Sequence, residues 1–352
     1  MSSEGAHGKV LFFLLSGEHP TLPHAELKAV LEAEGFDFTP LGDLRQLSRL
    51  ICPPSCSTHV AKRASMVRAC CLELFSCRAS EEDIMSKARE APFHNLVRPG
   101  DTFRVRVRRV RGLSRGLSTL ELERELGAII FKAVEGAKVD LRNPKHDFLG
   151  ILTDGHFFFG LKLSEASAKG FVGRRPSKRP FFHPTAMMPK LARCMVNLAR
   201  AKPGELLLDP FCGTGSIIVE AMLIGCHAVG LDIDKRMCFG CYLNARFFDM
   251  EPDGIIVADA LNAPIRRADR VATDPPYGRS ASTAGREVRE LYEGLLSWLP
   301  DVLPRGHMAC IAAPSDLCVS DMALDAGLKV VETHFFFVHD ALTRELAVLA
   351  VP

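Results

Sequence analysis

The stretch LLLDPFCGTGSIIVEA, residues 206–221, reads as a strand, a glycine-bearing loop and a helix. The apolar strand ends on Asp209, the loop carries Gly213 and Gly215, and apolar residues resume at Ile217. Glycines there allow close backbone approach to a ligand and dihedrals closed to other residues. A dinucleotide fingerprint would need another glycine three residues after Gly215. Ile218 holds that place, which weakens a pyrophosphate reading. Downstream the pattern repeats, with strand candidates HAVGLD (227–232), GIIVAD (254–259), DRVATD (269–274) and HMACIAAP (307–314). Helix-like runs separate most of them, which predicts a parallel, doubly wound α/β sheet. The last two apolar runs, KVVETHFFFVH (329–339) and TRELAVLAVP (343–352), have no helix between them and predict an antiparallel hairpin.

Such a hairpin suits the seven-stranded, Rossmann-like sheet of class I methyltransferases that use S-adenosylmethionine (SAM) better than a plain dinucleotide fold. The strand-ending acids agree. Asp209 suits a cationic ligand or an amino-acid ammonium, and Asp232 suits ribose hydroxyls. Asp259 suits an adenine amine, with the Ala260 amide beside it. Pro210, Phe211, Cys212, Thr214 and Ile233 complete the expected cofactor residues. The competing reading is that these aspartates cap helices or turns.

A second motif, TDPPYGRS (273–280), ends the fourth predicted strand. A planar exocyclic amine is a poor nucleophile because its lone pair is delocalised. Two acceptors on its hydrogens favour the tetrahedral form and stabilise the developing charge. Asp274 and the Pro275 carbonyl, stiffened by Pro276, are the candidates, and Tyr277 can stack on the base; Asp274 also borders the cofactor. Unperturbed aspartate is a weak base, pKa ~3.9, so Asp274 or water could receive the proton. The motif selects planar amines without choosing among guanine, adenine, cytosine and a glutamine amide.

The 352 residues, 47% apolar, have room for several domains with real cores. A formal net charge of +2 announces no polyanionic partner by itself, but basicity is segregated. In GDTFRVRVRRVRG (100–112), Phe103, Val105 and Val107 alternate with Arg104, Arg106 and Arg108, a half-buried strand with an arginine face. Arg109, Arg111 and Arg115 extend that cluster, and Arg174, Arg175, Lys178 and Arg179 form a second one in a proline-rich connector. Both suit phosphates. Strand 9–17 and helix 23–35 open an α+β unit, Ser118 and Glu121 mark a helix start, and Asp154-Gly155 turns a hairpin over 148–163. The 12 cysteines are irregularly spaced and read as free thiols. Cys52 and Cys56 could pair in an oxidising setting, and Cys238 and Cys241 have metal-like spacing without a second pair; no metal is expected. The opening MSSEGAHGKV lacks a signal-like apolar run and no run spans a membrane, which predicts a soluble, cytoplasmic protein.

DPFCGTG (209–215), the later acids and DPPYG (274–278) resemble the amino-methyltransferase group of SAM enzymes, and GRRPSKRPFFHPTAMMPKLARCMVNLA (173–199) and TDPPYGRS (273–280) closely resemble the archaeal tRNA (guanosine-10 N2)-methyltransferases. The resemblance implies a ferredoxin-like domain (1–60), a THUMP RNA-binding domain (61–165), a basic linker (166–185) and a methyltransferase domain (186–352). It implies tRNA as partner, SAM as cofactor, guanosine 10 as target with one or two methyl groups added, and Pro184 and Thr185 at the cofactor pocket. A small activator subunit, as in the eukaryotic counterpart, is a candidate partner of a chain expected to be monomeric. Ser216 stands where many relatives carry glycine. The rival readings are a ribosomal-RNA guanine or a DNA adenine amino-methyltransferase, and a non-catalytic RNA-binding factor on the same fold.

Overall fold

The structure, a computed structural model, describes residues 8–111, 116–277, 287–339 and 342–352. It divides into two compact units: Met1–Leu27, Gly35–Lys62 and Met66–Ser167 in one, Lys28–Glu34, Arg63–Ser65 and Ala168–Pro352 in the other.

Residues 9–165 form β1 (Lys9–Leu15), α1 (Leu22–Ala33), β2 (Thr39–Leu44), β3 (Leu47–Cys52), α2 (Cys56–Arg63), β4 (Val67–Arg78), α3 (Glu81–Glu90), β5 (Thr102–Arg109), α4 (Thr119–Ala133), β6 (Lys138–Val139), β7 (His146–Thr153) and β8 (His156–Glu165). Among the described residues these strands make one eight-stranded sheet, ordered β2-β3-β1-β4-β8-β7-β5-β6. β1 pairs antiparallel with both β3 and β4, Leu11 lying opposite Leu50 and Leu72. One sheet therefore runs through residues on both sides of the expected boundary at 60. The alternation in β5 buries Phe103, Val105 and Val107 against Leu122, Leu126 and Ile130 of α4. The Ser118 hydroxyl caps α4 by accepting from the Glu121 amide at 3.3 Å. Asp154 and Gly155 turn β7 into β8 with φ of 44° and 75°, the left-handed pair that tight hairpins require.

The other unit carries α5 (Lys169–Gly173), α6 (Pro189–Leu198), β9 (Leu206–Asp209), α7 (Ser216–Ile224), β10 (His227–Asp232), α8 (Lys235–Phe247), β11 (Gly254–Val257), β12 (Arg270–Thr273), α9 (Val288–Val302), β13 (Met308–Pro314), α10 (Val319–Asp325), β14 (Lys329–His339) and β15 (Leu342–Ala350). Its described strands form a seven-stranded sheet ordered β11-β10-β9-β12-β13-β15-β14. β9 to β13 run parallel, while β15 is antiparallel to both β13 and β14. The expected hairpin is thus present, with β15 between β13 and β14. Leu208, Val271 and Ile311 pack against Leu295, Leu296 and Leu299 of α9 in the core. Each such fully buried side chain contributes about 1.5–3 kcal/mol, enough to fix the strand ends that carry the polar residues. The strand order reverses between β9 and β12. In open α/β sheets that reversal opens a ligand crevice at the carboxyl ends of the strands. Asp209 and Asp274 stand there. Among the described residues, no helix is long and apolar enough to cross a membrane.

Candidate active site

Asp209, Asp232 and Asp259 end or follow three adjacent strands, and each bends the chain in the same way. Their carboxylates accept from the amides two residues on: Phe211 at 3.2 Å, Asp234 at 2.8 Å and Leu261 at 3.1 Å. The turn-capping role and a ligand role are compatible, because a carboxylate has about four lone-pair positions. Asp232 also accepts from the Gly213 amide at 3.0 Å, tying the glycine loop to the second strand. Burial raises its pKa. Asp259 also takes the Asn262 side-chain amide at 3.0 Å, and Ala260 is buried beside it. Asp209 is fully buried, and burial pushes its carboxyl up to about 7, against the bonds from Thr273 (2.7 Å) and Phe211. Neither bond brings a cation. Ile233 is exposed, and Pro184 and Thr185 are too, the Thr185 hydroxyl lying 2.7 Å from His183 Nδ1.

Gly215 has φ 83°, and a Cβ there would stand 2.6 Å from the Cys241 sulfur. Gly215→Ala is therefore expected to cost roughly 1–3 kcal/mol of unfolding free energy. Denaturant titration checks this. Gly215→Ala/Cys241→Ala should recover the part due to contact and keep the part due to φ.

Sequence reasoning missed the scaffold behind the loop. The Ser216 hydroxyl receives Arg179 Nη1 at 2.8 Å and donates to the Met187 carbonyl at 2.9 Å, which gives a physical use for the serine. Glu220, fully buried on α7, is gripped by Arg174 at 2.6 and 3.1 Å and by Arg193 at 2.8 Å. Asn244 of α8 bonds the Phe181 amide and carbonyl, both at 3.0 Å, and the Thr214 carbonyl at 2.9 Å. Gly240 lets the Phe181 ring lie where a Cβ would be 2.2 Å away. The expectation of four outward-facing basic residues in the connector is corrected here. Arg174 turns inward because a buried Glu220 must be paired, Arg179 turns inward onto the Ser216 hydroxyl and the Arg174 carbonyl, and Arg175 and Lys178 stay exposed.

The arginine strand shows the same economy of charge. Arg104 forks onto Asp147 at 2.9 and 2.6 Å, Arg106 reaches Glu123 at 3.1 Å, and Arg109 bonds the Leu117 carbonyl. Arg108, about half exposed, is 4.0 Å from Glu165, a separation worth little in solvent. Arg111 is exposed and donates to the Gly17 carbonyl at 2.9 Å. Arg115 and the GRS of the second motif lie outside the described residues. The thiols of Cys52, Cys56, Cys212, Cys238 and Cys241 are free and buried. No group of three or more potential metal ligands occurs among the described residues.

At the end of β12, Asp274 is 19% exposed and meets Arg344 of β15, a partner the sequence did not announce. Arg344 Nη1 lies 3.1 Å from Asp274 Oδ2, and Nη2 bonds Oδ1. The guanidinium also lies over the Tyr277 ring, 4.6 Å from its centroid. One face of that ring is covered. Burial works to lower the Arg344 pKa, yet Asp274 raises it, so the cation persists. The Tyr292 hydroxyl of α9, fully buried, lies 3.0 Å from the Ala312 carbonyl and 3.3 Å from that of Pro275. The hydroxyl has one proton to give, so the Pro275 carbonyl, the second proposed acceptor, shares it with the nearer Ala312 carbonyl.

A reversed parallel sheet with a terminal antiparallel pair, a glycine loop and a DPPY turn at the switch point define a class I methyltransferase unit, here following a separate α+β unit. Residues 176–345 match the family described as an RMKL-like methyltransferase domain, and residues 78–160 match the THUMP domain. The tRNA (guanine(10)-N2)-dimethyltransferases of Methanothermobacter thermautotrophicus and Methanocaldococcus jannaschii are 38% and 32% identical, each over 96% of this chain and 98% of the relative. The chain belongs to the tRNA (guanine(10)-N2)-dimethyltransferase family. The crystal structure of TrmN from Thermus thermophilus shares the fold, with TM-score 0.55 and 22% identity over 97% of this chain and 100% of that one.

Proposed function

We infer that this protein transfers methyl groups from SAM to the exocyclic N2 amine of guanosine 10 in tRNA. The observation that carries the reading is the placement of Asp274, Pro275 and Tyr277 beside the glycine loop at the sheet's switch point, in a chain of this family. The site's chemistry fits the cofactor: Asp209 is a buried carboxyl without a cationic hydrogen-bond partner among the described residues, and Asp232 and Asp259 stand at or just past the ends of the two neighbouring strands. Asp209 would face SAM's positive charge, Asp232 its ribose and Asp259 with Ala260 its adenine, around Pro210 to Gly215 and Ile233. When bound, SAM supplies a methyl group activated by its sulfonium.

The chain's own residues supply geometry. Asp274 and the Pro275 carbonyl accept from the amine, favouring its tetrahedral form. The face of Tyr277 opposite Arg344 would stack the base, and holding the reactants in line supplies much of the rate. A base in a stem would have to be extruded to reach Asp274. Residues 61–165 would hold the tRNA, and of the two basic clusters Arg108, Arg111, Arg175 and Lys178 are the described members exposed to meet phosphates. In incubations with labelled SAM and a tRNA transcript, incorporation is expected only while guanosine stands at position 10. Undiminished incorporation after its replacement would overturn the position assignment.

A further inference from the structure

Arg344 occupies an unusual place for a charged residue. It lies on β15, beside Glu345 and ahead of the apolar run Leu346–Ala350, opposite Pro314 of β13 and Phe336 of β14. Its side chain is 7% exposed, and its Nε is buried without a hydrogen-bond partner among the described residues. A buried, incompletely bonded guanidinium is costly. What the position provides is specific: a two-pronged hold on Asp274 and contact with the rings of Tyr277, 4.6 Å from its centroid, and Phe336, 5.8 Å from its centroid. One cation thereby fixes the carboxylate and the ring that the reading above assigns to the target base.

We propose that Arg344 is a positioning residue for methyl transfer, holding the Asp274 carboxylate as a hydrogen-bond acceptor and the Tyr277 ring as a base platform. The fork uses one lone pair on each carboxylate oxygen and leaves others for the amine hydrogen. Taking a proton onto Asp274 would break a largely buried ion pair and strand the cation. The surplus proton therefore passes from the amine nitrogen to water. Lysine could keep the charge at 344 but not the planar fork or the stacking.

This inference rests on the proposed function, and the wild-type protein separates the two. If it methylates no tRNA, the functional reading fails; if it is active, the variants judge Arg344 alone. Arg344→Met should lower kcat about a hundredfold, while KM for SAM and SAM affinity by calorimetry change less than about threefold, the fold-change equivalent of under half a decade. Arg344→Lys should recover less than about a tenth of the wild-type kcat. Asp274→Asn already removes the carboxylate that Arg344 holds, so the two kcat losses should not multiply, and Asp274→Asn/Arg344→Met should turn over within about tenfold of Asp274→Asn alone. The same four proteins, unfolded in denaturant, should show a double variant less destabilised than the two single losses combined. The proposal is overturned if Arg344→Met keeps kcat within threefold of wild type, if Arg344→Lys is fully active, or if the two single kcat losses multiply in the double variant. Should Arg344→Met fail to bind SAM through misfolding, the lysine and double variants decide by the same criteria.

Discussion

Asp274→Ala is expected to lower kcat about a thousandfold, the size of effect seen when one preorganised transition-state contact is removed from a dry site. SAM affinity should fall by less than about tenfold, because Asp274 borders the cofactor without being its main acceptor. Stability should also drop, by about 3 kcal/mol, since Arg344 stays buried and charged after losing its carboxylate partner. The two effects are separable by measuring turnover well below the melting temperature and SAM binding by calorimetry. Retention of a tenth or more of the wild-type kcat in a folded, SAM-binding variant would contradict the assigned role.

The second large effect concerns Asp209 and its pH dependence. Its carboxyl is raised from the ordinary 3.8 to about 7 because it is fully buried. Binding a cationic ligand needs the ionised form, so below pH 7 each SAM bound should release a proton. Affinity should therefore weaken about tenfold per pH unit as pH falls below 7, and level off near neutrality. Asp209→Asn should bind about a hundredfold more weakly at pH 8 and show a flat profile between pH 5 and 7. Stability moves the other way. A carboxyl whose folded pKa is raised holds its proton in the native state while the unfolded chain ionises. Wild type thus loses stability relative to the asparagine variant as pH rises from about 4 to 7, by at most about 4 kcal/mol. A SAM affinity in wild type independent of pH over that window would remove Asp209 from the cationic end of the site.

The parallel strands, the terminal hairpin and the placement of DPPY at a strand end were legible because they are local. Apolar runs ending in acids, and glycines between strand and helix, say so within a few residues. Arg344, Glu220, Asn244 and Tyr292 were not, because each acquires its role from a distant partner. Arg344 meets Asp274 only through the register of β15 on β13, 70 residues away in sequence. A signal was nevertheless present: Arg344 and Glu345 in LTRELAVLA, and Glu220 in SIIVEAMLI, are charges inside apolar elements, where an unpaired charge is costly. Glu345, almost fully buried, accepts from the Val319 and Ser320 amides at 2.9 and 3.0 Å and so caps α10. The basic clusters misled in the opposite direction. Arginine content announced phosphates, but Arg104, Arg106 and Arg174 have carboxylates within reach that local sequence does not reveal.

The central claim is a chemical one, that the amine presented to Asp274 is N2 of guanine at position 10. The most direct test is nucleoside analysis by mass spectrometry of a tRNA transcript after incubation with the full chain and SAM, with the modified position mapped by fragment sequencing. The expected products are N2-methylguanosine, N2,N2-dimethylguanosine or both, confined to position 10 and absent with Asp274→Ala. Methyl groups on an adenine amine, on a guanine ring nitrogen, or on guanines elsewhere in the tRNA would contradict it.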